Sequence, residues 1–275
     1  FAQDDQSREQ FDTLESDWQV RDFRLMFSGR IKTKRKITWC AGFMYDHSGD
    51  EWFVRQTGLM IAVPELKGHV FVGRSKEGIS LNMVMVGYAD WTMERSTTVV
   101  ATVPLLADGI KWMGYFPKHH VIYNVGWYTD WLSEGQWFSS YDQQVVARVG
   151  WLPIVKENGT LLHVALAGRY GLVNDRTLRL RSRPELNIAP YFVETESFAA
   201  HDTRMAQAEV YYRPGPFLFG TEYFVQRVNA TDRPDPLFHG GDAVASWLLT
   251  GGTRKYNTAG GYFLCVSPKP PGFQG

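Results

Sequence analysis

The sequence predicts an all-β fold, an antiparallel transmembrane β-barrel, on three observations. Apolar and polar residues alternate with a period of two along much of the chain. The alternating runs are about 9–11 residues long, the length a tilted strand needs to cross a hydrocarbon layer. Aromatic residues gather at the ends of those runs, where an interfacial girdle belongs. A soluble sandwich also alternates, but its strands average only about 5–6 residues.

Residues 1–20 read as a polar, acidic N-terminal segment, mobile or helical, with Glu15-Ser16-Asp17 near its end; residues 21–275 read as the barrel. Phe1-Ala2-Gln3-Asp4 resembles the end of a secretory signal, where a small residue precedes the cut. In residues 22–30, Phe23, Leu25 and Phe27 alternate with Arg24, Met26 and Ser28. In residues 36–46, Ile37, Trp39, Ala41, Phe43 and Tyr45 oppose Thr38, Cys40, Gly42 and Met44. In residues 143–151, Val145, Ala147, Val149 and Trp151 oppose Gln144, Val146, Arg148 and Gly150. Residues 160–170 set Leu162, Val164, Leu166 and Tyr170 against His163, Ala165, Ala167 and Arg169. Residues 203–213 set Ala206, Ala208, Val210 and Tyr212 against Met205, Gln207, Glu209 and Arg213. One face is thus continuously apolar, while the other mixes small residues with Arg, Glu, Gln and His.

Turn signals separate about a dozen strand candidates. Glu157-Asn158-Gly159 and Arg213-Pro214-Gly215-Pro216 are short, whereas residues 74–90, 229–238 and 253–260 form longer breaks. Tight turns at one end and long loops at the other suit a barrel. No stretch of helical period competes with the strands.

Composition agrees. Aromatic residues make up 15%, with 10 Trp and 13 Tyr, amphipathic side chains suited to a lipid–water boundary. No window of about 18 apolar residues exists, which excludes a helical span. Lys plus Arg balances Asp plus Glu at 29 each, so nothing points to nucleic acid. Cys40 and Cys265 lie far apart and fit no ligand spacing; they read as two inert thiols rather than a disulfide. His119-His120 sits in a turn with no third ligand nearby, which argues against a metal. There is no phosphate-binding glycine loop opening a helix, no Gly-x-Ser-x-Gly and no Cys-x-x-Cys, so the chain reads as no enzyme and as needing no cofactor. Asn158-Gly159-Thr160 and Asn229-Ala230-Thr231 fit a glycosylation pattern that a bacterial barrel is not expected to use.

Five stretches, in order and at the right spacing, resemble the phosphate-selective porin O and P family. They are Arg21-Asp22-Phe23-Arg24 running to Gly29; Val72-Gly73-Arg74-Ser75-Lys76 running to Leu81, like a glycine-led entry to an inward-folded loop; and Thr92-Met93-Glu94-Arg95-Ser96. The others are Arg181-Ser182-Arg183-Pro184-Glu185, like a mid-barrel Arg–Pro stretch, and Ala243-Val244-Ala245-Ser246-Trp247 running to Gly251, then through Tyr256-Asn257 to Val266-Ser267-Pro268. The resemblance covers residues 20–275. It implies a bacterial outer-membrane barrel, normally sixteen-stranded and trimeric, with an Arg- and Lys-lined constriction that binds phosphate. Asp22 stands where the family has a second arginine. The family's first strand before this motif is not evident, and further family strands would follow Pro270-Pro271, so the chain reads as an incomplete barrel.

Anion passage needs a favourable but escapable path, which a ladder of Arg and Lys in a narrow lumen supplies. The guanidinium fork matches phosphate oxygens in pairs, while lysine acts as a compact charge. The candidates for anion binding are Arg21, Arg24, Arg30, Lys76, Arg179, Arg181, Arg183 and Arg227, with Glu94 and Arg95 anchoring the inward loop. Arg148 and Arg169 must face the lumen or the rim, because charge facing lipid is costly. Expected partners are outer-membrane lipid, inorganic phosphate or other small anions, and two further copies in a homotrimer. The alternative is a structural barrel that tethers or scaffolds an envelope assembly through partner chains.

Overall fold

The computed structural model describes residues 5–11, 23–46, 51–134, 136 and 140–266. Helix α1 (Asp5–Phe11) lies in the polar N-terminal segment; Glu15-Ser16-Asp17, Arg21, Asp22 and the stretch from Ser267 onward lie outside the described residues. The chain then forms β1 (Phe23–Ile31), β2 (Ile37–Asp46), β3 (Glu51–Val54), β4 (Thr57–Val63) and β5 (Gly68–Ser75). Residues 76–106 connect β5 to β6 (Ala107–Phe116) and carry two short helices, α2 (Leu81–Val84) and α3 (Thr97–Thr102). Strands β7 (Val121–Thr129), β8 (Tyr141–Val155) and β9 (Leu161–Val173) follow. A second long connection holds β10 (Thr177–Leu178), β11 (Arg181–Ser182) and β12 (Val193–Glu194). The long strands resume with β13 (Phe198–Arg213), β14 (Phe217–Ala230) and β15 (Leu237–Trp247), and a small hairpin, β16 (Tyr256–Asn257) and β17 (Tyr262–Phe263), comes last.

The main sheet is antiparallel and runs β1-β2-β4-β5-β6-β7-β8-β9-β13-β14-β15, with β3 added to β2 and β10 to β13. Each strand therefore pairs with the next long strand in the sequence, the up-and-down order of a barrel wall. The sheet is not closed: among the described residues β1 pairs only with β2, and β15 only with β14. No described helix is long and apolar enough to cross a membrane.

The alternation read from the sequence sorts the side chains. Val145, Val149 and Trp151 of β8, Leu166 and Tyr170 of β9, and Val210 and Tyr212 of β13 are exposed on the outer face. Gln144, Arg148, His163, Arg169, Gln207 and Glu209 alternate with them and are buried on the inner face. This inversion, apolar out and polar in, is what lipid outside and a lumen inside demand. Phe217 stacks against Trp247 (5.6 Å) and Phe219 (6.3 Å) at one rim. The long strands outrun the expected length, β13 reaching 16 residues and β8 15.

Two connections depart from the sequence reading. The break after β5 continues to Leu106, because Thr97–Thr102, a β-branched run, folds as α3 under a Ser96 cap: Ser96 Oγ accepts from the Val99 amide (3.4 Å). Residues 178–183 form no mid-barrel strand; only two-residue strands occur there. Pro184 and Pro190 follow that stretch, and a proline offers no ladder donor.

The 76–106 connection folds inward and fills part of the lumen. Ile79, Met83, Val99 and Val103 pack against Tyr128, Val146, Met205 and Phe224. Leu81 and Met85 pack against Ile122, Leu152, Leu161, Tyr211, Leu218 and Phe263, which brings the last hairpin into the same interior. Each such side chain removed from water contributes roughly 1.5–3 kcal/mol. Cys40 and Cys265 are free thiols.

Candidate functional site

Two carboxylates set the inward loop. The amides of Leu81 and Asn82 donate to Glu209 Oε2 (2.9 Å) and Glu222 Oε1 (2.8 Å). Ser80 caps the same turn, its hydroxyl accepting from the Met83 amide (3.0 Å). Glu209 also takes Arg148, through Nε at 2.8 Å and through Nη2, and the ring of His163 at 2.8 Å. Arg169 reaches Glu77 (3.5 Å), the Thr102 carbonyl (2.7 Å) and Gln226 (3.0 Å). These inner-face charges, Arg148 and Arg169 included, are spent on one another and on the loop.

The opposite side of the loop is basic. Lys76 donates its ammonium to the Met85 carbonyl. Arg95 donates to the Asn82 (3.3 Å) and Met85 (3.0 Å) carbonyls, which ties the loop to itself. A methyl group at Gly87 would stand 3.7 Å from Arg24 Nη2 and 3.9 Å from Arg95 Nη2. The guanidinium of β1 and that of the loop thus both approach a residue with no side chain. Burial first, then the charges of Arg95, Arg55 and Arg24, hold the Lys76 ammonium well below the usual lysine range. A proton is hard to keep there without an anion nearby.

Asp90 offsets the cluster. Its oxygens accept from Asn82 Nδ2 (3.0 and 3.1 Å) and from the Trp91 amide (2.9 Å). Burial pushes its carboxyl up to about 6, against the pull of Arg95, Lys76 and Arg254. Arg254 comes from the segment after β15 and donates to the Ala89 carbonyl.

The structure brings together Arg24, Lys76 and Arg95 from the sequence-derived set. Arg30 lies further along the inner side of β1, toward the tight-turn end. Arg179 pairs with Glu194 (2.6 Å), and Arg181 and Arg183 lie over the Tyr191 ring at 4.3 and 4.6 Å. Arg183 also donates to the Asn187 carbonyl (2.6 Å). All three therefore belong to the second long connection, which meets α3 where Thr97 Oγ1 donates to the Arg183 carbonyl (3.4 Å). Arg227 lies on the outer face near the end of β14, paired with Asp235 (3.2 Å), away from the cluster. Glu94 lies on the loop beside Arg95. Arg21 lies outside the described residues.

Sequence reasoning missed Arg55, Lys111 and Arg254. Lys111 was findable: it is the only cation in β6 and sits at mid-strand, where a charge facing lipid costs most, whereas near a strand end, as at Arg227, that cost falls away. Lys111 donates to the Lys76 carbonyl (2.9 Å). The turn between β1 and β2 is also basic, with Lys32, Lys34, Arg35 and Lys36 all exposed.

The family model described as phosphate-selective porin O and P matches residues 2–273. The chain belongs to this family. As a porin it is a channel of the bacterial outer membrane. Its fold is similar to that of OmpT, an outer-membrane protein of Vibrio cholerae folded in vitro and described in a trimer form. The identity is 9%, the match covers 91% of this porin and 87% of OmpT, and the TM-score is 0.50. OmpT expressed in the outer membrane matches at 9% identity over 88% and 83% of the two chains, with a TM-score of 0.46. A mutant porin of Rh. blastica matches at 10% identity over 82% and 83%, with a TM-score of 0.33. At such identities the likeness concerns the fold alone. No curated protein matches the chain.

Proposed function

We propose that this porin passes small anions, phosphate among them, through a constriction between β1 and the inward loop. The reading rests on one observation, the convergence of Arg24 with Arg95 at Gly87 beside Lys76. Cations held close in a narrow lumen replace part of an anion's hydration shell, and escape follows if no single contact is too tight. Arg24 and Arg95 supply forked donors that fit phosphate oxygens, and Lys76 a compact charge. Arg179, Arg181 and Arg183 would add positive field at the long-loop mouth. The porin assembles as a homotrimer in outer-membrane lipid on this reading.

In planar bilayers the reversal potential should favour chloride over potassium, and added phosphate should block the chloride current. Cation preference with no phosphate block would sink the proposal. A second reading is a structural barrel that tethers or scaffolds the envelope. It draws on the lumen being filled on one side by the loop and the last hairpin, and it predicts no measurable conductance.

A further inference from the structure

A recess of about 380 Å³ opens in the inner wall near the tight-turn end, lined in part by Arg30, Thr38, Cys40, Gln56, Met60 and Phe71. Strand register explains its shape. Ser28 pairs with Cys40, Cys40 with Gly58, and Gly58 with Gly73. Small residues thus run in one row across β1, β2, β4 and β5 and form a floor with little side-chain volume. Gly58 and Gly73 also have φ of 157° and 131°. A Cβ at Gly58 would fall 2.2 Å from the Val72 carbonyl, and one at Gly73 2.3 Å from the Thr57 carbonyl, so the floor cannot be raised there.

The adjoining row is different in kind. Arg30 pairs with Thr38, Thr38 with Met60, Met60 with Phe71, and Phe71 with Lys111. Reading across five strands, this row is cation, hydroxyl, thioether, aromatic ring, cation. Lys111 leans back over the ring, its ammonium 5.5 Å from the Phe71 centroid. Arg30 is exposed and makes no ion pair among the described residues. An apolar shelf in a lumen wall, with a guanidinium at one end and an ammonium behind it, does not suit a fully hydrated inorganic ion. It suits an anion that carries an apolar body.

We propose that this recess is a second binding site, separate from the Arg24 cluster, for small aromatic carboxylates. The carboxylate pairs with the Arg30 fork and the ring lies on Met60 and Phe71, with Cys40 beneath it. The volume falls in the lower part of the range of about 300–1,000 Å³ typical of small-molecule pockets. The charge fixes orientation, and the apolar contact discriminates against a bare carboxylate.

Cys40 in the floor is a built-in reporter. In detergent-solubilised full chain carrying Cys265→Ser, the rate at which a small methanethiosulfonate reagent modifies Cys40 is measured with benzoate or with acetate at equal concentration. Benzoate should slow modification several-fold and acetate should not. Arg30→Gln and, separately, Met60→Gln should each abolish the benzoate effect. Equal slowing by the two anions, slowing by neither, or protection that survives both substitutions would overturn the proposal. The chloride-to-potassium reversal potential of the same preparation reports the anion path independently: benzoate protection without anion selectivity leaves the recess standing and removes only the constriction.

Discussion

The two halves of the inner wall use charge in opposite ways. Along β8, β9, β13 and β14, Arg148, His163, Glu209 and Glu222 are buried and engaged with one another or with the amides of the inward loop. Along β1 to β5, the charges of Arg95, Arg55 and Arg24 all bear on the Lys76 ammonium, with Asp90 partly offsetting them. The first half behaves like a protein core with polar staples; the second, on the proposed reading, is a lined path. Buried charge with partners of opposite sign serves architecture, because each pair was formed against a high desolvation cost. Charge that gathers with its own sign would, on the proposed reading, serve traffic, because a passing counter-ion relieves it further.

The largest effect expected from this contrast is in the filled half. Glu209→Ala leaves Arg148 buried without its carboxylate and the Leu81 amide without its acceptor. The loss of stability should be about 3–5 kcal/mol, read from the urea midpoint of the detergent-solubilised protein or from the temperature of its heat-modifiable gel shift. A small change would show that water replaces the carboxylate, and would blur the division between the halves.

Arg24→Ala tests the lined half. It should lower the chloride-to-potassium permeability ratio several-fold and weaken the phosphate block, with the unfolding midpoint unchanged. An unaltered ratio would remove Arg24 from the path; a shifted midpoint with an unaltered ratio would make it a structural residue like Arg148.

A subtler effect concerns pH. The Asp90 carboxyl titrates near 6, so it is ionised above that value and neutral below it. Neutralising Asp90 makes the cluster more positive on acidification, so the chloride preference should rise as pH drops through about 6. Asp90→Asn should hold the acid-like preference across that window. The stability sign is the reverse of that for a salt-bridged carboxylate: a carboxyl raised in the folded state contributes most below its unfolded value, and that contribution is lost as pH rises toward 6. A preference that moves equally in wild type and Asp90→Asn would assign the titration elsewhere.

The smallest effect should come from Arg35→Ala. Arg35 pairs with Glu65 at 2.9 Å through both nitrogens, but both side chains are exposed at the tight-turn end. Exposed pairs add little, so neither the unfolding midpoint nor the permeability ratio should change. A measurable loss would show that the basic turn shapes the path.

The barrel wall was legible in the sequence because lipid outside and a lumen inside enforce period two along most of each long strand. Val145 to Trp151 and Leu162 to Tyr170 face outward as their alternation requires. The positions of the long loops were legible but their internal structure was not, because a loop inside a lumen obeys tertiary contacts rather than local preference. Thr97–Thr102 has the β-branched composition of a strand, yet folds as α3 because Val99 and Val103 then share one side and enter the interior. The arginines at 179, 181 and 183 alternate with leucines as a lumen-facing strand would, but Tyr191 and Glu194 draw them into a connection. Of the candidate site, Arg24 and Lys76 could be read from motif and face. Arg55 and Arg254 could not, since their approach depends on where the loop lies.

The staples at Leu81 and Asn82 also impose a schedule. Their carboxylate partners, Glu209 and Glu222, stand 128 and 140 residues further along the chain. Contacts so distant in sequence close late, because the intervening strands must first be ordered against the entropy of a long loop. The wall can assemble hairpin by hairpin, but the narrow part of the channel forms only after β13 and β14 have joined it. On the proposed reading, a newly inserted molecule would be wide before it is selective, and selectivity would be the last property the protein acquires.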